Sequence, residues 1–297
     1  MAKDVQATLN FIPADSATRS MTGTADFYSH ASEKRVVTIH DVRGRQDEFS
    51  LSNNGFQFTT HRSVYLPVLD PAVIKSEVYA ETAELLKNKY LRPLFVLLGL
   101  RNGSVVPPPT HVKVASHTIR SALSDLNSEY TGTPGPARAA HLDHTAAGAT
   151  NYLYEKLPSD DASRLSRTRW AIINVRRPMK PVRRDPLAIC DGSTLQEGDL
   201  LPIRMDYSAN ARARGGNQRL KTTVGWEIAM AKYNERQRWY YLSNMGLADV
   251  LLMKIFDSAP AMAKAVAVHS SFEDLDEKDG EVRESIEFRC LVFWEKE

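Results

Sequence analysis

Five side chains in this sequence have types and spacings suited to metal and anion chemistry: His141, Asp143, His269, Arg283 and Ser285. The run His141-Leu142-Asp143-His144-Thr145 follows a Gly/Pro breaker at Gly132–Pro136. In an extended segment, side chains two apart share a face, so His141 and Asp143 point to the same place. An imidazole and a carboxylate converging this way can occupy two adjacent corners of a metal's coordination sphere. A second histidine would complete the facial triad that holds iron(II) and leaves positions open. On its own, His-x-Asp is a pattern that chance supplies.

The complement lies near the C-terminus. Val266-Ala267-Val268 is an apolar strand candidate ending in His269, and about one hairpin further on stands Arg283, with Ser285 two residues later. Arg283 and Ser285 share a face of an extended segment. A guanidinium beside a hydroxyl is suited to hold a carboxylate by charge-assisted hydrogen bonds. Plainer readings exist for each part. A His–Asp pair can cap a loop, His269 can be a satisfied core histidine, and Arg283 can pair with Glu281 or Glu284 at the surface. The joint pattern favours ligand roles.

Neighbouring residues supply further candidates. In a strand from about Arg283 to Trp294, Glu287 and Arg289 share the face of Arg283 and Ser285, while Ile286, Phe288 and Cys290 face the other way, toward helices. Arg289 is a candidate for binding an acidic substrate group, with a charge pair to a neighbouring strand as the alternative. Arg177 and Tyr152 are further substrate candidates. Tyr154 and Trp226 line a pocket or belong to the core. His144 points away from His141 and Asp143, toward a supporting hydrogen bond or solvent.

The elements that must position these residues can be read in outline. Val36–Val42 reads as a strand, and Glu48–Thr60 as a hairpin around an Asn-Asn-Gly turn. Asp70–Leu91 is an amphipathic helix, with Asp70 as N-cap, Pro71 at its first position and Ile74, Val78, Leu85 and Leu86 on its apolar face. Ser116–Tyr130 and Leu157–Trp170 read as helices. Strand candidates follow at Trp170–Val175, Leu187–Cys190, Leu200–Met205, Thr223–Lys232, Arg238–Leu242, Leu251–Phe256, Lys264–His269 and Ser285–Trp294. A helical preface followed by short, closely spaced strands predicts a mainly β fold, an antiparallel barrel or jelly roll backed by helices. Asn210–Lys221, polar and Gly-containing, is a candidate lid. No linker divides the 297 residues, so one domain is expected.

Composition excludes several classes. Apolar residues make up 42 % and charged residues 25 %, with a formal net charge of +2, which gives no field for nucleic acid or an anionic membrane. The basic run Arg176–Arg184 lacks interleaved aromatics and contains two prolines, so a solvated loop is the better reading. No apolar run approaches the roughly 18 residues that span a bilayer; the longest, Pro93–Leu100, suits a buried segment. The N-terminus shows no apolar signal region. With two cysteines, Cys190 and Cys290, a disulfide framework is not expected and the cytoplasm is the default compartment. Neither cysteine has an activating context.

The sequence resembles the non-haem iron(II)/2-oxoglutarate-dependent oxygenases, within the branch of the cephamycin methoxylation protein and the gibberellin-desaturase-like and AsaB-like enzymes. The resemblance rests on HLDHT (141–145), IINVRRP (172–178), DPLAICD (185–191), RWYYLSNM (238–245), KIFDS (254–258), HSSF (269–272) and RESIEFR (283–289), and reaches weakly to DVRG (41–44) and NNGFQF (53–58). It implies a double-stranded β-helix, cupin-like, with a helix-rich part at 1–135 and the β-helix core from about 136 to 297. It further implies iron(II) on His141, Asp143 and His269, and 2-oxoglutarate as co-substrate with its distal carboxylate on Arg283 and Ser285. One departure is Arg176, where this branch usually carries Trp.

The expected activity is therefore iron-dependent oxidation of a small molecule with O₂ and 2-oxoglutarate: hydroxylation, desaturation or a related step, in specialised metabolism. Two alternatives are a non-catalytic jelly-roll binding protein and an iron-dependent isomerase that does not use 2-oxoglutarate; Arg283-x-Ser285 argues against the second. A homodimer is one assembly the sequence allows.

Overall fold

Strict alternation along the last strand sets the layering of the whole molecule. In Glu284–Trp294, Leu291 and Phe293 enter one apolar core, while Ile286, Phe288, Cys290, Val292 and Trp294 enter a second on the opposite face. A strand buried on both sides must be covered twice. The first core lies between two sheets, and the second lies between the smaller sheet and a helix. The computed structural model describes residues 3–16, 19–22, 33–67, 70–90, 108–121, 135–206, 226–277 and 279–295.

Among these residues the strands are β1 (Val5–Phe11), β2 (Arg19–Thr22), β3 (Glu33–Asp41), β4 (Phe56–Thr60), β5 (His111–Ser121), β6 (His141–Leu142), β7 (Arg169–Pro178), β8 (Leu187–Cys190), β9 (Leu200–Asp206), β10 (Glu227–Ala231), β11 (Trp239–Tyr241), β12 (Asp249–Asp257), β13 (His269–Ser271) and β14 (Glu284–Trp294). They form a nine-stranded sheet, β1-β3-β11-β8-β13-β6-β10-β9-β2, facing a five-stranded one, β4-β12-β7-β14-β5. Most neighbours within each sheet are antiparallel and distant in sequence. The two facing sheets are those of a double-stranded β-helix, or jelly roll.

The helix backing the smaller sheet begins as expected. Asp70 accepts from the backbone N–H groups of Ala72 and Val73, with Pro71 in the first turn. It runs through Pro71–Val73 and a π-helical segment, Ile74–Val78, into α1 (Tyr79–Tyr90). Ile74, Val78, Leu85 and Leu86 pack on the outer face of β14 and β7. The helices α2 (Ala146–Lys156) and α3 (Ser159–Leu165) follow the HLDHT run.

Several local expectations are corrected. Among the described residues of 1–135, five strands, β1 to β5, stand beside the helical run Pro71–Tyr90. The helix expected over Ser116–Tyr130 is a strand in its described part, within His111–Ser121; residues 122–134 lie outside the described set. Val112, Val114, Thr118 and Ile119 are β-branched, and pairing along nearly the whole of β14 outweighs any helical spacing. Glu48–Thr60 is no hairpin. Phe56–Thr60 pairs with β12, and the preceding residues form turns, with Gly55 at φ +81 tight against the backbone of Ala265 and Val266. Lys264–His269 is not a strand before His269. Pro93–Leu100 and the Asn210–Lys221 lid candidate lie outside the described residues. Among the described residues, no helix is long and apolar enough to cross a membrane.

One close approach fixes the site-bearing loop. Thr145 caps α2 by accepting from the Gly148 N–H (3.0 Å), donates to Glu227 Oε1 (2.6 Å), and its own N–H donates to the Glu227 carbonyl (3.0 Å). A Cβ at Gly148 would lie 2.1 Å from that same carbonyl oxygen. Replacing Gly148 with Ala should therefore cost about 1–3 kcal/mol, read as a lower midpoint in chemical denaturation. An unchanged midpoint would mean that α2 does not lie this close to β10.

Candidate active site

Two paired strands and the turn after one of them bring three candidate ligands together. His141 on β6 sits directly opposite His269 on β13, and their rings lie 4.5 Å apart. Asp143 follows β6 by one residue, in the turn that Thr145 and Trp226 hold; the Trp226 indole N–H donates to the Asp143 carbonyl at 3.3 Å. Asp143 Oδ1 is 3.4 Å from His141 Nε2 and 3.9 Å from His269 Nε2. Ligand atoms from these three residues all lie within 4.8 Å of one another.

Hydrogen bonds behind the triad fix which atoms face its centre. His141 Nδ1 lies 2.8 Å from the Ala139 carbonyl, and His269 Nδ1 3.0 Å from the Ala267 carbonyl. A carbonyl only accepts, so each Nδ1 carries the proton and each Nε2 presents a lone pair. Asp143 is oriented the same way. Its Oδ2 accepts from Asn174 Nδ2 (2.6 Å) and Arg289 Nη2 (2.8 Å), which leaves Oδ1 toward the imidazoles. Burial alone would raise the Asp143 carboxyl, but the Arg289 guanidinium beside it holds it well below the usual carboxylate range. Burial and the facing His141 hold His269 below the usual imidazole range, so it stays neutral. Two imidazoles presenting Nε2 and one carboxylate, each held from behind, are a donor set that fits iron(II).

The candidate anion site lies beside it. Arg283 is 1 % exposed. Its Nη1 donates to the Asp185 carbonyl (2.5 Å) and Ser271 Oγ (3.0 Å), while Nε and Nη2 are buried with no partner among the described residues. Burial, then Arg176 and Arg120, press its pKa well below the usual guanidinium range. Two unpaired donors on a buried cation call for an anion, since leaving them empty costs several kcal/mol. A carboxylate accepts two such donors side by side. Ser285, buried on β14, flanks it.

The remaining candidates fall differently. Arg289 is engaged with Asp143 rather than free for substrate, its guanidinium also lying 5.5 Å from the Tyr152 ring. Arg177 faces the wrong side of β7: it donates to the His61 carbonyl (2.8 Å), contacts His61 Nδ1 (3.0 Å) and lies 3.9 Å from Glu81 on the helix face, away from the triad. Tyr152 is buried, hydrogen-bonded to Ser116, and stacked near His144 (ring centres 4.9 Å apart). His144 is not at the surface. It lies between Tyr152 and Trp226, and neither ring nitrogen has a partner among the described residues; burial, with Arg289 nearby, lowers it to about 3.

Arg120 escaped the sequence reading altogether, and so did the interior roles of Asn174 and Arg176, the latter expected in a solvated basic loop. Their signal was there in β7, where Asn174 and Arg176 interrupt an apolar run two residues apart and so share its inner face.

The likenesses to known proteins agree with this geometry. Residues 6–91 and 105–293 match the family model of an oxidoreductase/YMDC permease-like domain, so the chain carries that domain. A hydroxylase/desaturase, efuI, of Hormonema carpetanum is 35 % identical over 87 % of this chain and 83 % of its own length. The Fe(II)/2-oxoglutarate-dependent dioxygenase nvfI of Aspergillus novofumigatus is 31 % identical over 86 % of this chain and 82 % of its own. This chain belongs to the iron(II)/2-oxoglutarate-dependent oxygenases. A solved variant of the iron and alpha-ketoglutarate-dependent endoperoxidase NvfI superposes with a TM-score of 0.76 at 26 % identity, covering 99 % of this chain and 98 % of that one. As an oxygenase of this family, the chain uses iron(II), O₂ and 2-oxoglutarate to oxidise a small molecule.

If Asn174 and Arg289 orient Asp143, Asn174→Leu should lower iron(II) affinity about 10- to 100-fold with the fold intact. Anaerobic iron titration followed by circular dichroism reads both quantities. Undiminished affinity would remove Asn174 from this role.

Proposed function

We propose that His141, Asp143 and His269 hold the iron, that Arg283 and Ser285 hold the distal carboxylate of 2-oxoglutarate, and that the enzyme hydroxylates or desaturates a specialised metabolite. The observation that carries this reading is the pairing of a pre-oriented two-His, one-carboxylate set with a buried guanidinium whose Nε and Nη2 lack partners. A non-catalytic binding protein would have no need of that second feature, and an isomerase would not need a diacid beside the metal.

Iron bound there supplies the two-electron oxidation of substrate by O₂, coupled to the decarboxylation of 2-oxoglutarate to succinate and CO₂. The chain's own residues do the rest. The Nδ1 atoms of both imidazoles are committed to backbone carbonyls, which turns each Nε2 toward the metal. Arg289 keeps Asp143 ionised and turned inward. Arg283 fixes the diacid at its far end, which orients the 2-oxo acid end toward the open side of the metal. Burial of the triad between the sheets keeps bulk water away from the reacting groups.

Strands from distant parts of the sequence pair within each sheet, β3 beside β11 and β5 beside β14. That supports reading 1–297 as one domain. Both cysteines are free and buried, in keeping with a reducing compartment, the cytoplasm.

Two variants test the assignment. His269→Ala should abolish tight iron binding and 2-oxoglutarate-dependent succinate release. Arg283→Gln should weaken 2-oxoglutarate about 10- to 100-fold while leaving iron affinity near that of the parent. Full turnover in His269→Ala, or unaltered 2-oxoglutarate affinity in Arg283→Gln, would show the assignment to be wrong.

A further inference from the structure

The inner face of the smaller sheet carries a polar grid next to the triad. Across β5, β14 and β7, the opposed positions run Arg120–Ser285–Pro178, then Thr118–Glu287–Arg176, then Ser116–Arg289–Asn174. The last row supports Asp143. Arg176 stands one pleat further along β7, about 7 Å from Asn174 at the usual strand rise.

Arg176 is 4 % exposed, and among the described residues its nearest charge partner is Glu287, at 4.0 Å, beyond hydrogen-bond distance. That carboxylate is already engaged by Asn174 Nδ2 at 3.0 Å. Arg120, diagonally across β14 from Arg176, donates to the Gly135 carbonyl at 3.0 Å. The charges of Arg120 and Arg176 both press on Arg283, and Arg120 on Arg176, so the three guanidinium groups share one neighbourhood. The nearby Asp185 acts on Arg283 as well, but its oxygens are taken up by Arg138 (2.6 Å) and Arg184 (3.0 Å), so it adds no net negative charge to the group.

Charge bookkeeping then decides what is missing. Among the described residues, and with Asp185 paired to Arg138 and Arg184, Arg120, Arg176, Arg283 and Arg289 face two carboxylates, Asp143 and Glu287, leaving two positive charges over. A divalent iron and a doubly charged 2-oxo diacid cancel one another and leave that surplus standing. One carboxylate of the diacid satisfies the free donors of Arg283. It leaves Arg176 and Arg120 without an anion in a site where like charges repel strongly.

We infer that this oxygenase takes a substrate bearing a carboxylate, seated on Arg176 and Arg120 beside the place of the co-substrate. The inference rests on the oxygenase reading and names the substrate class of the same site. The acid anchors one end of the molecule, while the carbon to be oxidised lies toward the triad, one to two pleats away.

The test uses full-length protein loaded anaerobically with iron(II) and 2-oxoglutarate, so that ligands bind without turnover. Matched carboxylic acids and their methyl esters (a polycyclic terpenoid acid, a substituted benzoic acid, a peptide-derived acid and a long-chain fatty acid) are titrated by calorimetry, with thermal shift in parallel. At least one acid should bind 10- to 100-fold more tightly than its ester. Arg176→Gln should bring that ratio close to one, Arg120→Gln should reduce it, and Arg176→Lys should restore most of it. In all three variants 2-oxoglutarate should bind within about threefold of the parent. Absence of discrimination in every pair, or discrimination that survives both glutamine variants, would overturn the inference. So would loss of 2-oxoglutarate binding in Arg176→Gln to the extent seen for Arg283→Gln, which would assign Arg176 to the co-substrate. If the parent protein fails to bind iron and 2-oxoglutarate at all, the oxygenase reading falls, and this inference with it.

Discussion

Asp143 has two donors on one carboxylate oxygen and two imidazoles before the other, and most of the molecule is arranged around that asymmetry. The donors, Asn174 and Arg289, come from the five-stranded sheet; the imidazoles come from the nine-stranded one. The carboxylate therefore ties the sheets together at the proposed metal centre. A buried carboxylate without an opposite charge would be costly, by several kcal/mol. Arg289 offsets that cost on the rear side, so the front oxygen remains available to a metal.

This arrangement explains why the outer layer matters. For Asn174 and Arg289 to point inward, the alternate residues Val175, Phe288 and Cys290 must point outward, and an apolar outward face needs a cover. The helix that opens at Asp70 supplies it. Arg177, one residue from Arg176, shows how sharply the pleat divides roles: it serves the helix layer through His61 and Glu81, whereas Arg176 serves the interior. A shift of one residue in the register of β7 would exchange them and remove Asn174 from Asp143.

The legible parts of the sequence were those set by local period or by unusual residue types. The strands Leu187–Cys190 and Glu284–Trp294, the capped helix at Asp70 and the convergence of His141 with Asp143 all follow from short-range rules. What resisted reading depends on partners far along the chain. His111–Ser121 is a strand because β14 lies beside it, and Phe56–Thr60 pairs with β12 rather than with its own neighbour. Arg289 and Arg177 could not be sorted from the sequence alone, since their partners, Asp143 and His61, are supplied by other elements. Asn174 and Arg176 were visible as polar interruptions of an apolar strand, yet their meaning required knowing what faced them across the sheets.

The central claim is that one oriented carboxylate and two imidazoles form the metal centre, with a diacid clamped at Arg283. An anaerobic crystal structure with iron(II) and 2-oxoglutarate tests it most directly. The account predicts iron anomalous density bonded to His141 Nε2, His269 Nε2 and Asp143 Oδ1, with Oδ2 still on Asn174 and Arg289 and the distal carboxylate on the free nitrogens of Arg283. Iron bound elsewhere, or a diacid that leaves Arg283 unpaired, would contradict it.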